Sequence, residues 1–240
     1  MVPLSFGQHE FLAYGQAALF WPARRALLLA DLHFEKASWF ARLGQHLPPY
    51  DSRATLDAVV ALVEQTGAGE LWCLGDSFHD MAGAARMDAE TRGRLRGLTD
   101  RLDWHWITGN HDIGLQQGGL HDREISPDAQ AMIGGTVLPE AVVEGIVLRH
   151  EADPAETRPE ISGHFHPKLR LSLRGRHVSR RCFVRTPRKL LMPAFGALTG
   201  GLDAGAPAIR DATGAGVGAL VEALVPVESR LLRFPLTPRC

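Results

Sequence analysis

Nine side chains able to hold a metal ion or move a proton stand in five short clusters: Asp31 with His33, Asp76, Asn110 with His111 and Asp112, His150, and His164 with His166. Leaving out His111 and Asp112, the donors are two carboxylates, one amide and four imidazoles, with no thiolate. That mixture suits two borderline divalent cations, with manganese first and iron, nickel or zinc as the others. A pure oxygen site for calcium or magnesium would not need four histidines. Two such ions about 3.5–4 Å apart neutralise phosphoryl oxygens and lower the pKa of a shared water, which is the chemistry of phosphate ester cleavage. Asp76, directly after Gly75, is the candidate for the carboxylate the two ions share. Asn110 offers a neutral oxygen and keeps the site positive toward an anionic substrate. His111, its neighbour, is the candidate proton donor to the leaving oxygen, with Asp112 setting its tautomer.

These clusters fall where apolar runs stop. Ala26 to Ala30 ends at Asp31, Leu71 to Leu74 at Gly75-Asp76, and Trp104 to Thr108 at Gly109-Asn110-His111-Asp112. Val142 to Leu148 ends near His150, and Ile161 leads into Gly163-His164-Phe165-His166. Short apolar runs bounded by polar clusters read as buried strands, and in open α/β sheets the carboxyl ends of strands line the ligand crevice. Residues i and i+2 of an extended segment point the same way, so Asp31/His33 and His164/His166 are each expected to bring two ligands to one point. Between the strands, Leu56, Val59, Val60 and Val63 keep helical spacing from a cap at Asp51-Ser52 to about Gln65, with Gly67 as the stop. A second helix is expected from about Asp88 to Leu102, with Leu95, Leu98 and Leu102 on one face. Short strands are expected from Phe11 to Leu29. The later half reads as strands at Lys168 to Leu173, His177 to Val184, Lys189 to Met192 and near Leu231 to Phe234. Strand–helix alternation followed by strands predicts helices on one sheet and a further sheet in the same domain.

Composition narrows the class. The 240 residues are 45% hydrophobic and 22% charged, with net charge −1 and mean hydropathy −0.08, an ordinary globular balance. A uniformly basic coat or an acidic disordered tail is excluded. No run of about 18 apolar residues predicts a membrane span, and the first ten residues lack the layout of a secretion signal. Cys73, Cys182 and Cys240 form neither a disulfide framework nor a metal pair, so a cytoplasmic location is expected. Cys73 reads as a core residue; Cys182, beside Arg181, is weighed between an inert thiol and one whose pKa is lowered by that charge.

Charge is distributed unevenly. From Ile161 to Leu202 there is no acidic residue and there are nine basic ones. Such a stripe after the His164/His166 pair is suited to guiding a phosphate backbone. Arg170, Arg174 and Arg176, with His79 at the crevice mouth, are the candidate substrate contacts. The competing reading is a sheet edge protected by charge, and for His79 and Asp80 a loop cap. Glu35 and Lys36 read equally as a salt-bridged helix start or a substrate contact. Trp39 is weighed between core and base stacking.

In order and spacing, Asp31-Leu32-His33, Gly75-Asp76, Gly109-Asn110-His111-Asp112, His150 and Gly163-His164-Phe165-His166 resemble the five motifs of calcineurin-like metallophosphoesterases. Five further segments, DLHFEKAS (31–38), LPPYD (47–51), GDSFHD (75–80), RRCF (180–183) and PAFGALTGG (193–201), resemble a bacterial subgroup, the ligase-associated DNA damage response endonucleases (PdeM-like). The resemblance implies a single α/β domain over 1–240, a four-layer αββα sandwich of two mixed sheets flanked by helices. It implies one metal held by Asp31, His33, Asp76 and His166, a second by Asp76, Asn110, His150 and His164, and His111 as general acid. It also implies a phosphodiesterase or nuclease acting on DNA, in functional association with an ATP-dependent DNA ligase, a helicase and an exonuclease. A phosphoesterase for nucleotides or other small esters, and a non-catalytic repair accessory protein, are the other readings. Oligomeric state stays open, with a dimer compatible with exposed strand edges.

Overall fold

The computed structural model describes residues 1–109, 127–173, 175–216 and 218–236, so Asn110, His111, Asp112 and Arg174 lie outside the described residues. The first sheet is built from β1 (Val2–Phe6), β2 (His9–Tyr14), β3 (Ala18–Trp21), β4 (Ala26–Leu29), β5 (Glu70–Leu74), β6 (Asp103–Ile107) and β7 (Thr136–Leu138), side by side in that order. Its first four strands form an antiparallel meander; from β4 to β7 the pairing is parallel. Helices α1 (Lys36–Arg42), α2 (Asp51–Thr66), α3 (Gly83–Arg86), α4 (Ala89–Thr99) and α5 (Pro127–Ile133) connect or flank these strands. Next come β8 (Ala141–Val143), β9 (Ile146–Arg149), β10 (Glu160–Ser162), a hairpin of β11 (Lys168–Leu173) and β12 (Arg176–Arg181), then β13 (Phe183–Arg185), β14 (Lys189–Leu191), α6 (Pro207–Ala212), β15 (Glu222–Val227) and β16 (Arg230–Pro235). The second sheet has the order β16-β15-β13-β14-β10-β9-β8, parallel only between β9, β10 and β14.

Adjacent residues of the central strands serve opposite faces, as the two-residue period of a strand requires. Leu27, Leu29, Cys73, Trp104 and Trp106 meet Leu56, Val59 and Leu62 of α2 and Leu95 and Leu98 of α4. Leu28, Trp72, Leu74 and Ile107 meet Leu148, Ile161, Phe183, Leu190 and Leu224 of the second sheet. The far side of that sheet, with Cys182, Val184 and Leu191, is covered by Leu169 of β11 and by Ile209 and Ala212 of α6. The layers are therefore helices, sheet, sheet and a thin outer layer of α6 and the hairpin: the α/β sandwich of two mixed sheets expected from the sequence. Among the described residues no helix is long and apolar enough to cross a membrane.

Several local expectations are corrected. Val142 to Leu148 is a hairpin, because Glu144 (φ 48°) and Gly145 (φ 81°) turn the chain. His177 to Val184 divides at Cys182 between the β11–β12 hairpin and the second sheet. β1, whose Val2, Leu4 and Phe6 alternate with exposed Pro3 and Ser5, was not among the expected strands, nor were β15, α1 and α6 among the expected elements. Asp51 and Ser52 lie in the first turn of α2 and do not cap it. Asp51 Oδ2 accepts from Ala37 N (3.0 Å), while Ser52 Oγ accepts from Glu35 N (2.8 Å) and donates to Glu35 Oε1 (2.8 Å). These bonds lock α1 onto α2, and they replace the ion pair expected at Glu35. Cys182 is fully buried, and burial pushes its thiol up to about 12. Desolvation thus outweighs the neighbouring positive charge, and Arg181 turns its guanidinium elsewhere.

Lys189 and Glu160 are both almost fully buried and pair at 2.9 Å across neighbouring strands. Lys189 Nζ also donates to the carbonyls of Asp153 (2.6 Å) and Glu156 (3.1 Å). Lys189→Met leaves buried Glu160 with only the more distant Arg149, at 3.8 Å, as a cation and is expected to lower unfolding free energy by about 3 kcal/mol, whereas Lys189→Met with Glu160→Gln recovers much of the loss. Urea denaturation of the three proteins checks this; equal loss in the single and double variants would contradict it.

Candidate metal centre

Six of the expected ligands come together. Asp31 ends β4, Asp76 follows β5, His150 follows β9, and His164 and His166 follow β10, with His33 two residues past Asp31. They form two triplets, Asp31/His33/His166 and Asp76/His150/His164, each with donor atoms within 4.8 Å of one another. Asp31, His33, Asp76 and His150 are buried, and the two remaining histidines are half-buried. In the first triplet His33 Nε2 lies 3.2 Å from His166 Nε2, and His166 Nε2 lies 3.4 Å from Asp31 Oδ1. In the second, His164 Nδ1 lies 3.0 Å from His150 Nε2.

Asp76 stands between the triplets. Its Oδ1 is 3.5 Å from His150 Nε2 and its Oδ2 is 4.0 Å from His33 Nε2, so each oxygen faces a different set of donors. This geometry fits a shared carboxylate. His150 Nδ1 faces the Leu74 carbonyl at 3.1 Å. A carbonyl only accepts, so Nδ1 carries the proton and Nε2 presents a lone pair to the site. Burial lowers the His164 pKa, which favours the neutral form a metal requires. The donor set and its spacing thus fit a dinuclear centre.

The local backbone is not extended; Asp31 and His33 still reach one triplet as expected, whereas His164 and His166 do not. Asp31, His33, Asp76, His164 and His166 all have positive φ, between 45° and 71°. Each such residue without glycine's freedom costs about 1–3 kcal/mol and persists only when its surroundings over-determine it. The turn after β10 sends His164 to one triplet and His166 to the other. Surrounding hydrogen bonds fix these turns: His33 N to Asp76 O (2.9 Å), Phe34 N to Ser77 O (2.9 Å), and His164 N to the Asp31 carboxylate (3.1 and 3.2 Å). Close approach also demands glycine. A methyl group on Gly75 would fall on the His150 ring, and one on Gly163 would press on the Asp31 carboxylate.

The remaining candidates are distributed differently. His79 is half-buried; its ring centroid lies 5.9 Å from that of His33. Asp80 forms a two-pronged pair with Arg86 (2.5 and 2.8 Å), whose Nε donates to Ser38 Oγ, so Asp80 holds the loop to α1. Lys36, half-buried, has its pKa lowered by burial, against the opposing fields of Asp51 and Asp76. The basic stripe is partly consumed: Arg185 pairs with Glu222 (2.5 Å) and Lys189 with Glu160. Strand register puts Lys168, Arg170 and Arg181 on one face of the hairpin and Arg176 on the other. Arg170 and Arg176 are exposed.

Two contributions escaped the sequence reading. Glu151 Oε1 lies 3.7 Å from His164 Nε2, on the ring edge away from His150; only its place beside His150 hinted at it. The segment after β14 seals the site from beneath, with Phe195 N donating to Ala30 O (2.8 Å) and Gly196 N to Asp31 O (3.2 Å). Arg181 donates to the carbonyls of Phe195 (3.1 Å) and Gly196 (2.6 Å). A cavity of about 310 Å³ opens beside His150, lined by Thr108, Gly109, Glu140 and Glu151 among others.

No family model and no curated protein matches this sequence. Among solved structures the chain is similar to the nuclease MPE of Pseudomonas putida, at 29% identity and a TM-score of 0.66, covering 92% of this chain and 95% of that one. Yfce, a phosphoesterase from E. coli, is more distant, at 14% identity and a TM-score of 0.42 over 88% of this chain and 99% of that one. The sandwich is of the metallophosphoesterase type.

Asp76→Asn leaves the shared position with one weak oxygen donor. Metal analysis after loading with divalent ions and dialysis is expected to show fewer ions per chain than the unaltered protein, with the far-ultraviolet circular dichroism unchanged. Gly75→Ala, which displaces His150, is expected to lose the second ion while retaining the first. Two ions retained in both variants would contradict the assignment.

Proposed function

We propose that this chain is a dinuclear-metal-dependent phosphodiesterase acting as a nuclease on DNA. The observation that carries the reading is the Asp76 carboxylate, whose oxygens face two separate triplets of buried donors. The likeness to a nuclease over nearly the whole chain supports the same class. One cation would be held by Asp31, His33, Asp76 and His166, and the other by Asp76, Asn110, His150 and His164, with manganese the first candidate. When bound, such a pair supplies positive charge for the phosphoryl oxygens and acidifies water for attack on phosphorus.

The chain's own groups do the rest. Asp31 and Asp76 would offset only part of the charge of two divalent ions, so the centre keeps a net positive charge that attracts a phosphodiester. His111 donates a proton to the departing alkoxide as the P–O bond breaks, and Asp112 orients its ring. Lys168 and Arg170 face the same side of a hairpin that begins two residues after His166, a position suited to the flanking phosphates. A place beside a DNA ligase, helicase and exonuclease follows from the resembling segments. Small phosphate esters are the second reading, favoured by the pairing of Arg185 and Lys189 with acids, which leaves less free positive charge than the sequence promised. A purely accessory role would give the two convergent groups of acids and histidines no chemical use.

His111→Ala is expected to keep both ions and to lower kcat on a phosphodiester by about 10²- to 10⁴-fold; loss of an ion instead would make His111 a ligand. On a single-stranded oligonucleotide, kcat/KM should fall steeply as salt rises, because several phosphate contacts release counterions. An equally shallow salt response for the oligonucleotide and for a small phosphodiester dye would favour the small-ester reading.

A further inference from the structure

Beside the first triplet lies a cluster of rings that the metal chemistry does not use. Trp39 on α1 meets His79 edge-on at 4.8 Å between centroids, and Phe40 lies nearly parallel to His79 at 5.8 Å. His79 in turn faces His33 at 5.9 Å, and His33 faces His166 across the first triplet. All three outer rings are half-buried. Their scaffold is rigid: His79 N donates to Phe34 O (2.9 Å), and Arg86 ties the same loop to α1 through Asp80 and Ser38. The other four tryptophans are buried in the interior, so Trp39 is the tryptophan that keeps accessible surface. Leu43, at the end of α1, and Met81, two residues past His79, are exposed apolar neighbours in sequence.

The ring contacts run from Trp39 through His79 and His33 to His166, and the hairpin carrying Lys168 and Arg170 begins two residues after His166. One end is aromatic, the middle is the candidate metal centre, and the other end is basic. A phosphodiester at the centre with backbone phosphates toward the hairpin leaves its other neighbour at the rings. An apolar, flat partner belongs there, and an unpaired nucleobase is the part of a nucleic acid with a free π face.

We propose that Trp39, backed by Phe40 and His79, is a stacking subsite for one unpaired nucleobase flanking the phosphate held at the metal centre. This rests on the phosphodiesterase reading above. Trp39 acts by binding the base and takes no part in the chemical step. In duplex nucleic acid the base faces are covered by their neighbours, so the subsite serves a strand whose bases are unstacked.

The test uses full-length protein and two oligonucleotides of equal length and phosphate count, one of thymidines and one of abasic tetrahydrofuran residues. Binding is read on the metal-free protein by tryptophan fluorescence, and cleavage on the manganese-loaded protein. The thymidine strand is expected to quench fluorescence and to bind about 5- to 150-fold more tightly than the abasic strand. Trp39→Ala should reduce that ratio to about one, and Trp39→Phe should keep most of it. Equal affinity of the unaltered protein for both strands, with both cleaved, would overturn the stacking subsite and leave the phosphodiesterase reading standing. If neither strand nor any small phosphodiester is cleaved with any divalent metal, the phosphodiesterase reading itself fails, and the subsite with it.

Discussion

Two carboxylates and four imidazoles are held facing one another a few ångströms apart. Their nitrogen and oxygen atoms lie 3.0–3.5 Å from one another. In a medium of reduced dielectric that arrangement is unfavourable unless positive charge lies among them. Five of the residues also hold left-handed backbone conformations. Fold and site are thus in tension, and a cation pair relieves it: the metal would act as a structural clamp as well as a source of reactivity.

The site's precision is borrowed from the apolar layer between the sheets. Asp31 and Asp76 leave strands of the first sheet, whereas His150, His164 and His166 leave strands of the second. Neither sheet alone holds either triplet. The distance between Asp31 and His166 is fixed by how Leu28, Trp72 and Leu74 settle against Leu148, Ile161 and Leu190. Close-packed interiors do not slide, so the ligand loops inherit rigidity from residues that never touch the site. The segment through Phe195 and Gly196 adds a second tie, and Arg181 braces it.

Charge follows the same logic of neighbours. The uninterrupted basic run of the sequence is divided in space: Lys189 is buried against Glu160, Arg185 meets Glu222, and Arg181 serves backbone carbonyls. What remains for a polyanion is the hairpin face carrying Lys168 and Arg170, close to one edge of the metal centre. The aromatic cluster lies toward the other edge. Under the proposed reading, that asymmetry would give a bound strand a direction as well as an affinity.

Much of this was legible in the linear chain. Six candidate metal donors that the structure brings together were readable because they stand at or just past short apolar runs, and a strand end is a local property of sequence. The helices α2 and α4 were readable from spacing, as was the helix stop at Gly67. Other features exist only in three dimensions. The sequence could not show that Asp51 and Ser52 bind α1 rather than cap α2, because both uses need the same side-chain oxygens. Nor could it show that burial raises the Cys182 pKa, that acids from distant strands cancel Arg185 and Lys189, or that Trp39 stands in line with His33. Each of these depends on what lies across a sheet or beyond a loop, and pairing between distant segments is decided by packing, not by any residue's own preference.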